Sequence, residues 1–173
     1  MAKRVRDRAW ADAVLAEEEV GHLALCDERG PYVIPINYAY LDGTIVIHCA
    51  TKGRKLDIIR KNPACCFAVD RHVDRVAYHA EKRCHYRYHS VLVFGCARYV
   101  EDADERLGWI RRYREHFDAR LPWTVPADDG LDIATAERCG IILITIEEVT
   151  ARRREKADPK AHLARDKTPT DDH

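Results

Sequence analysis

The sequence predicts a mainly β fold of the α+β class, a small antiparallel barrel with flanking helices. Six runs of strand length, His22–Cys26, Pro31–Tyr40, Thr44–Cys49, Ala64–Val69, Ser90–Glu101 and Cys139–Val149, are rich in β-branched and aromatic residues. Tight turn signals, Asp27-Glu28-Arg29-Gly30 and Leu41-Asp42-Gly43, join the first three runs into an antiparallel meander. Helix-forming stretches at Asp7–Val20 and Asp102–Arg120 flank the strands.

Each element has its own justification. In Asp7–Val20, Trp10, Ala13, Val14 and Leu15 make an apolar stripe, Glu17–Glu19 stay exposed, and Gly21 ends the helix. Pro35 interrupts the second strand, and proline cannot donate to a ladder, so that strand leaves an edge open or bulges there. Arg54–Asn62 is a short connector helix stopped by Pro63. Asp70–His89 does not alternate cleanly and reads as a polar excursion or a long strand connection. Ser90–Glu101 carries apolar residues on both faces early in the run, which requires cover on both sides. Asp102 or Asp104 caps the long helix, whose buried side is Leu107, Ile110, Tyr113, Arg114 and Phe117. Leu121–Arg138 is loop with a short helical piece at Asp132–Glu137, in which Trp123 pins the loop or touches substrate. Residues 1–150 form one domain, and 151–173 a polar, extended or disordered tail.

Composition excludes several classes. The 173 residues are 46% hydrophobic and 34% charged, a globular balance. Lys plus Arg and Asp plus Glu are 29 each, so no basic field advertises nucleic-acid binding. No run approaches a membrane span, and MAKRVRDRAW lacks a signal-peptide apolar region, so a cytoplasmic protein is expected. Seven cysteines, an odd set within mostly apolar runs, read as reduced, packed thiols. His72, His79, Cys84, His85 and His89 tempt a metal reading, but no CxxC or HxxxH pair with matching partners stands out, and no metal is assigned.

The most informative stretch is Thr44–Val69, which reads as strand, corner, short helix, strand. Thr51 is the expected N-cap of the helix, followed by Lys52, Gly53, Arg54 and Lys55. Three cations at a helix N-terminus oppose the dipole, and an anion such as phosphate relieves that repulsion. Alternation puts Ile45 and Ile47 on one face of the preceding strand and Val46 and His48 on the other. His48 therefore lines a pocket or is a core histidine satisfied by a backbone carbonyl.

The order GHLALCDERGPYVIPINYAYLDGTIVIHCATKGRKLDIIRKNPACCFAVD, followed by YHSVLVFGCARYVED, resembles the pyridoxamine 5′-phosphate oxidase-like flavin-binding split barrels, and within them the Nim-type (nitroimidazole-resistance) group. The resemblance covers Ala11–Val149 and implies a six-stranded antiparallel split β-barrel. It implies FMN, with deazaflavin or haem as alternatives, and a homodimer with the flavin site between subunits. Phosphate would sit at Thr51, Lys52, Arg54 and Lys55, with Ser90 a further contact. The ring would lie along Pro35, Ile36 and Asn37, unless Pro35 merely marks an edge strand and Asn37 caps a bulge. His48 stands near the same pocket as the catalytic candidate. The implied activity is an oxidoreductase acting on small aromatic or nitroaromatic compounds, with a reduced nicotinamide or deazaflavin as donor. No GxGxxG is present, so the reductant visits the site. A flavin, deazaflavin or haem carrier or sensor without turnover is the competing class. The substrate-phosphate residues of the true pyridoxamine phosphate oxidases have no counterpart in Ala151–His173, which argues against vitamin B6 oxidation.

Overall fold

The computed structural model describes residues 3–76, 85–122 and 130–154. The chain runs β1 (Lys3–Val5), α1 (Arg8–Glu17), β2 (Val20–Asp27), β3 (Gly30–Asn37), β4 (Ala39–Leu41), β5 (Thr44–Cys49), α2 (Arg54–Lys61), β6 (Ala64–Val76), β7 (His85–Tyr99), α3 (Ala103–Asp118), α4 (Ile133–Arg138) and β8 (Gly140–Arg154). The eight-stranded antiparallel sheet has the order β3-β2-β6-β7-β8-β5-β4, with β1 added to β8. It curls into a half-barrel whose open seam lies between the β3 edge and β4–β5. No helix among the described residues is long and apolar enough to cross a membrane.

The split-barrel architecture expected from the sequence is the one observed, with two strands more than the six expected. One is β1, three residues paired along the end of β8. The other is β4, because the expected strand Pro31–Tyr40 breaks at Tyr38. That residue is fully buried, donates its hydroxyl to the Leu15 carbonyl at 2.7 Å, and donates its amide to the Glu19 carbonyl at 3.0 Å. An amide bonded to the end of α1 cannot also serve the ladder, so the strand ends there. Asp42 (φ 48°) and Gly43 (φ 80°) then form the tight turn into β5.

The segment expected as a polar excursion is instead the outer half of a long hairpin, with β6 reaching Val76 and β7 starting at His85. Likewise Thr150–Arg154, expected in the tail, continue β8 and pair with both β7 and β1. Trp123 and Cys84 lie outside the described residues.

Two cores form on opposite faces of the sheet. Inside the half-barrel, Leu15 of α1 and Leu56 and Ile59 of α2 pack with Leu23, Phe67 and Ile144. On the outer face of β5 and β8, Leu107 and Ile110 of α3 and Ala136 of α4 pack on Val46, Ile141 and Leu143. The strands β5 and β8 are thus buried on both faces. Asp102 caps α3, accepting from the Glu105 amide at 2.8 Å. The buried Arg106 ties α3 to the end of β7, donating to the Tyr99 hydroxyl at 2.8 Å and the Val100 carbonyl at 3.1 Å.

A register shift between Phe94 and Gly95 lets β7 follow the curvature of β8. A Cβ on Gly95 would stand 2.0 Å from the Thr145 carbonyl oxygen, a backbone atom that cannot step aside. Gly95→Ala should therefore cost about 1–3 kcal/mol of stability by overpacking. Gly108→Ala, at an exposed helix position with nothing within 4 Å, should gain about 0.5–1 kcal/mol. Equal denaturation midpoints for the two variants would contradict this account.

The β2–β3 hairpin is tied to α2 by Asp27, whose carboxyl is held down at about 2, chiefly by Arg54 and further by Arg29. The folded value lies below the unfolded one, so this stabilisation is complete above the ordinary Asp range of about 3.9 and is lost as pH falls towards about 2. Asp27→Asn should flatten the acid limb of thermal stability in that window. An unchanged limb would assign acid sensitivity to other groups.

Candidate functional site

The corner after β5 is built differently from the expected Thr51 cap. Residues 51–53 form a bend, and the N-cap is Gly53, at φ 128° and ψ 167° with no side-chain cap hydrogen bond. That backbone region is open to glycine and strained for other residues, so Gly53 decides where the helix starts. The Leu56 and Asp57 amides bond the Gly53 carbonyl, at 2.9 and 3.3 Å, while the helix entrance carries no capping side chain.

Arg54, expected on the phosphate, is already engaged. Its Nε and Nη2 fork onto the Asp27 carboxylate at 3.1 and 3.0 Å, and its guanidinium lies 4.6 Å from the centre of the Tyr32 ring. Arg54 therefore anchors the corner to the hairpin. Lys52 is exposed and Lys55 half-buried, and neither has an ion-pair partner among the described residues. Burial raises the Cys49 thiol pKa, and the nearby Lys55 charge opposes that rise. The corner thus combines an uncapped helix N-terminus with two uncompensated lysines.

The ring-side residues lie on the sheet edge. β3 pairs only with β2, in unbroken register from Val20↔Asn37 to Asp27↔Gly30. Pro35 therefore marks an edge strand without a bulge. Pro35 and Asn37 point outward and are exposed, whereas Ile36 packs against the inner core. Across the seam, His48 follows Val46 on the outer face of β5, as alternation predicts. Asn37 and His48 meet in a cavity of about 480 Å³, which Glu19, Tyr113, Phe117 and Cys139 also line. A larger cavity of about 870 Å³, between the β2–β3 hairpin and α2, contains none of the ring-side residues.

Aromatic rings form the outer wall of the smaller cavity. The His48 and Tyr113 ring centres are 5.8 Å apart at 32°, and Phe117 follows Tyr113 at 4.8 Å. His48 keeps part of its ring open to solvent, yet the crowding on its other side lowers its pKa, so the imidazole is neutral at neutral pH. Burial pushes the Tyr113 phenol up to about 12. The carboxylates at the rim are compensated, Glu19 by Arg120 at 3.0 Å and Asp118 by Arg114 at 3.2 Å. The cavity is flat-walled, aromatic on one side and rich in neutral hydrogen-bonding groups on the other.

Ser90 is not brought to this corner within one chain. It pairs with Asp70 and Arg152, while the Cys49 end of β5 meets Gly140 near Tyr99. Nine residues of β7 separate Ser90 from Tyr99, roughly 30 Å of strand. Sequence reasoning missed Tyr113 as a wall of the cavity, having read it only as helix packing. It also missed Asp27 as the partner of Arg54. A pairing across 27 residues leaves no local signal. Cys26, expected to pack as a small hydrophobe, is exposed. The described residues contain no group of three or more His, Cys, Asp or Glu side chains that could hold a metal ion.

The fold matches several solved structures at identities that speak for architecture alone. A candidate 5-nitroimidazole antibiotic resistance protein from Bacteroides thetaiotaomicron superposes with TM-score 0.71 at 16% identity, over 88% of this chain and 87% of that one. An FAD and heme binding protein from Mycobacterium smegmatis gives TM-score 0.73 at 18% identity, over 96% and 81%. An uncharacterized protein of Rhizobium meliloti (strain 1021) is 35% identical over 63 residues, 36% of this chain. That match spans 41% of the relative's length. The model of the pyridoxamine 5′-phosphate oxidase family matches residues 7–153, nearly the whole barrel with its corner and seam, and the chain belongs to that family.

Proposed function

We propose that this chain is an FMN-dependent oxidoreductase that works as a homodimer and reduces small aromatic or nitroaromatic compounds. The observation that carries the reading is the meeting of Asn37 and His48, from strands that are not paired, in an aromatic-walled cavity. The strand that presents His48 runs directly into the Lys52–Lys55 corner. A ligand with a flat ring at one end and a phosphate at the other suits that arrangement. The uncapped helix entrance and the two lysines fit a phosphate dianion. Solved relatives of the same fold include proteins described as FAD-binding and as binding FAD and heme, which supports a flavin here.

Bound FMN would supply hydride transfer. The protein's own groups orient and protonate. Asn37 and His48 offer hydrogen bonds along one wall, and Tyr113 covers the flat face of an aromatic substrate. For a nitro group the balance is one hydride and one proton taken up, giving the nitroso compound and water. The hydride originates in a reduced nicotinamide or deazaflavin. A neutral His48 donates a hydrogen bond to the nitro oxygens and hands on a proton only from its protonated form, which becomes populated at lower pH.

The outer face of the sheet supports a dimer. Val33, Phe94, Leu92, Ala24, Cys66 and Ala68 lie side by side across β3, β2, β6 and β7. Val33 is 58% and Phe94 40% exposed, whereas α3 and α4 cover only the β5–β8 part of this face. A second copy is the occupant that an isologous, self-complementary face would take. The carrier or sensor reading is favoured only by the neutral His48, since that is the form that ligates haem iron. The absorption spectrum of the purified protein separates flavin, deazaflavin and haem.

Lys55→Ala should remove a charge-assisted contact of about 1.5–3 kcal/mol and weaken FMN binding roughly tenfold to a hundredfold with the fold intact. An unchanged FMN dissociation constant would sink the phosphate assignment. His48→Ala should keep FMN but slow the reoxidation of reduced protein by an added nitroaromatic. Identical stopped-flow traces for the variant and the parent protein would reduce His48 to a structural residue.

A further inference from the structure

Two successive pairs at the far end of the sheet place like charges directly opposite each other, Lys3↔Arg153 and Arg4↔Arg152. Directly opposed like charges destabilise a sheet, and a strand that keeps them calls for a compensating anion. Ala151 is buried in the inner core beside Val91, so Arg152 and its other partner, Ser90, face outward. Arg4, opposite Arg152, shares that outward face and is exposed, as Arg152 is. Among the described residues neither arginine has an ion-pair partner, and nearby carboxylates are engaged. Asp7 caps α1, accepting from the Ala9 amide at 3.0 Å and the Trp10 amide at 3.4 Å. Asp70, beyond Ser90 in the same row, lies 4.0 Å from His22. What remains is a row of donors, Arg4, Arg152 and the Ser90 hydroxyl.

The apolar patch says where that row goes in a dimer. Phe94, the exposed aromatic at its centre, stands about midway along β7 between Ser90 and Tyr99. A two-fold axis through Phe94 exchanges the two ends of β7 between copies. It therefore carries the Arg4–Arg152–Ser90 row of one copy towards the Lys52–Lys55 corner of the other, about 30 Å away within a single chain. Two uncompensated cationic groups would then face each other across the interface.

We infer that Arg152, seconded by Arg4, is a cofactor-phosphate contact supplied by the second copy, and that the phosphate is the counterion that allows the two copies to close. This rests on the flavin-phosphate reading of the Lys52–Lys55 corner. It makes phosphate binding and dimerisation one linked equilibrium, in which each strengthens the other. It also explains why Ser90 lies far from the corner within its own chain and yet sits beside the strongest unpaired charge on the sheet.

The test uses the full chain, its Arg152→Gln and Arg4→Gln variants, and two probes, FMN and riboflavin, which differ by the phosphate. FMN should tighten the dimer of the parent protein by about tenfold or more in sedimentation equilibrium, and riboflavin should not. Arg152→Gln should weaken FMN binding about tenfold to a hundredfold and leave riboflavin binding unchanged, with a smaller loss for Arg4→Gln. Without flavin, both variants should be at least as heat-stable as the parent, because each removes an opposed like-charge pair. Equal FMN affinity in Arg152→Gln, a dimer indifferent to FMN, or FMN bound to a monomer would each overturn the inference while leaving the flavin reading intact. Failure of the parent protein to bind either probe would overturn the flavin reading and this inference together.

Discussion

The site depends on one buried residue, Tyr38. Its amide and hydroxyl both bond carbonyls at the end of α1, and its ring meets Phe67 edge-on at 4.9 Å. A polar hydroxyl in this core is tolerable only because the Leu15 carbonyl receives it. Burial raises the Tyr38 pKa well above the ordinary phenol range, so the hydroxyl stays a donor. With three elements fixed to one side chain, the edge strand must stop at Asn37 and turn. That turn brings the last residue of β3 beside the last outward residue of β5. Without it the seam would separate Asn37 from His48. Gly21 belongs to the same constraint, since a Cβ there would lie 2.3 Å from the Phe67 ring that Tyr38 packs on.

The second constraint is the double burial of β5 and β8. A strand covered on one face leaves its other face to solvent, and a histidine there is an ordinary surface residue. Here Val46 is fully buried beneath α3, and His48, two residues on, emerges at the edge of that second core. Its ring is therefore crowded on one side and open on the other, the environment that lowers an imidazole pKa without sealing it from substrate. Arg120 holds α3 over this edge through Glu19 and the Ala16 carbonyl. The same Glu19 carries the carbonyl that receives the Tyr38 amide, so the helix wall and the strand break meet at one residue.

What the sequence made legible follows from periodicity. The face of His48, the edge character of Pro35, the connector helix and both apolar faces of Ser90–Glu101 are all period-two or start-stop signals. The outer hairpin of β6 and β7 was illegible because a two-stranded arm buries little, and charged residues replace the alternation that marks a strand. The break at Tyr38 carried no Gly or Pro to announce it. The Thr51 cap failed for a different reason. Thr51 and Gly53 both suit a helix start, and the choice depends on whether the backbone enters at positive φ, which only the closure of the β5–α2 bend decides. The pairing of Arg54 with Asp27 and the distance of Ser90 from the corner are tertiary facts that no local pattern encodes.

Formal charge is balanced over the chain, but its distribution is not even. Carboxylates cluster where elements must be tied: Asp12 with Arg8, Asp27 with Arg54, Glu101 with Arg60, and Glu105 with Arg98. Such exposed or half-exposed pairs contribute little stability each, so moving a carboxylate elsewhere would cost the fold little. At Lys52 and Lys55 the calculation differs. A resident carboxylate would satisfy those lysines continuously, and an incoming phosphate would have to displace it. Leaving them uncompensated costs little stability at a solvated corner and preserves their full attraction for an anion. Arg54 shows the complementary solution within the same turn. Its fork on Asp27 and its contact with Tyr32 hold α2 against the β2–β3 hairpin, so the helix entrance presents its amides from a fixed position. One cation secures the frame, and its two neighbours stay free for the ligand.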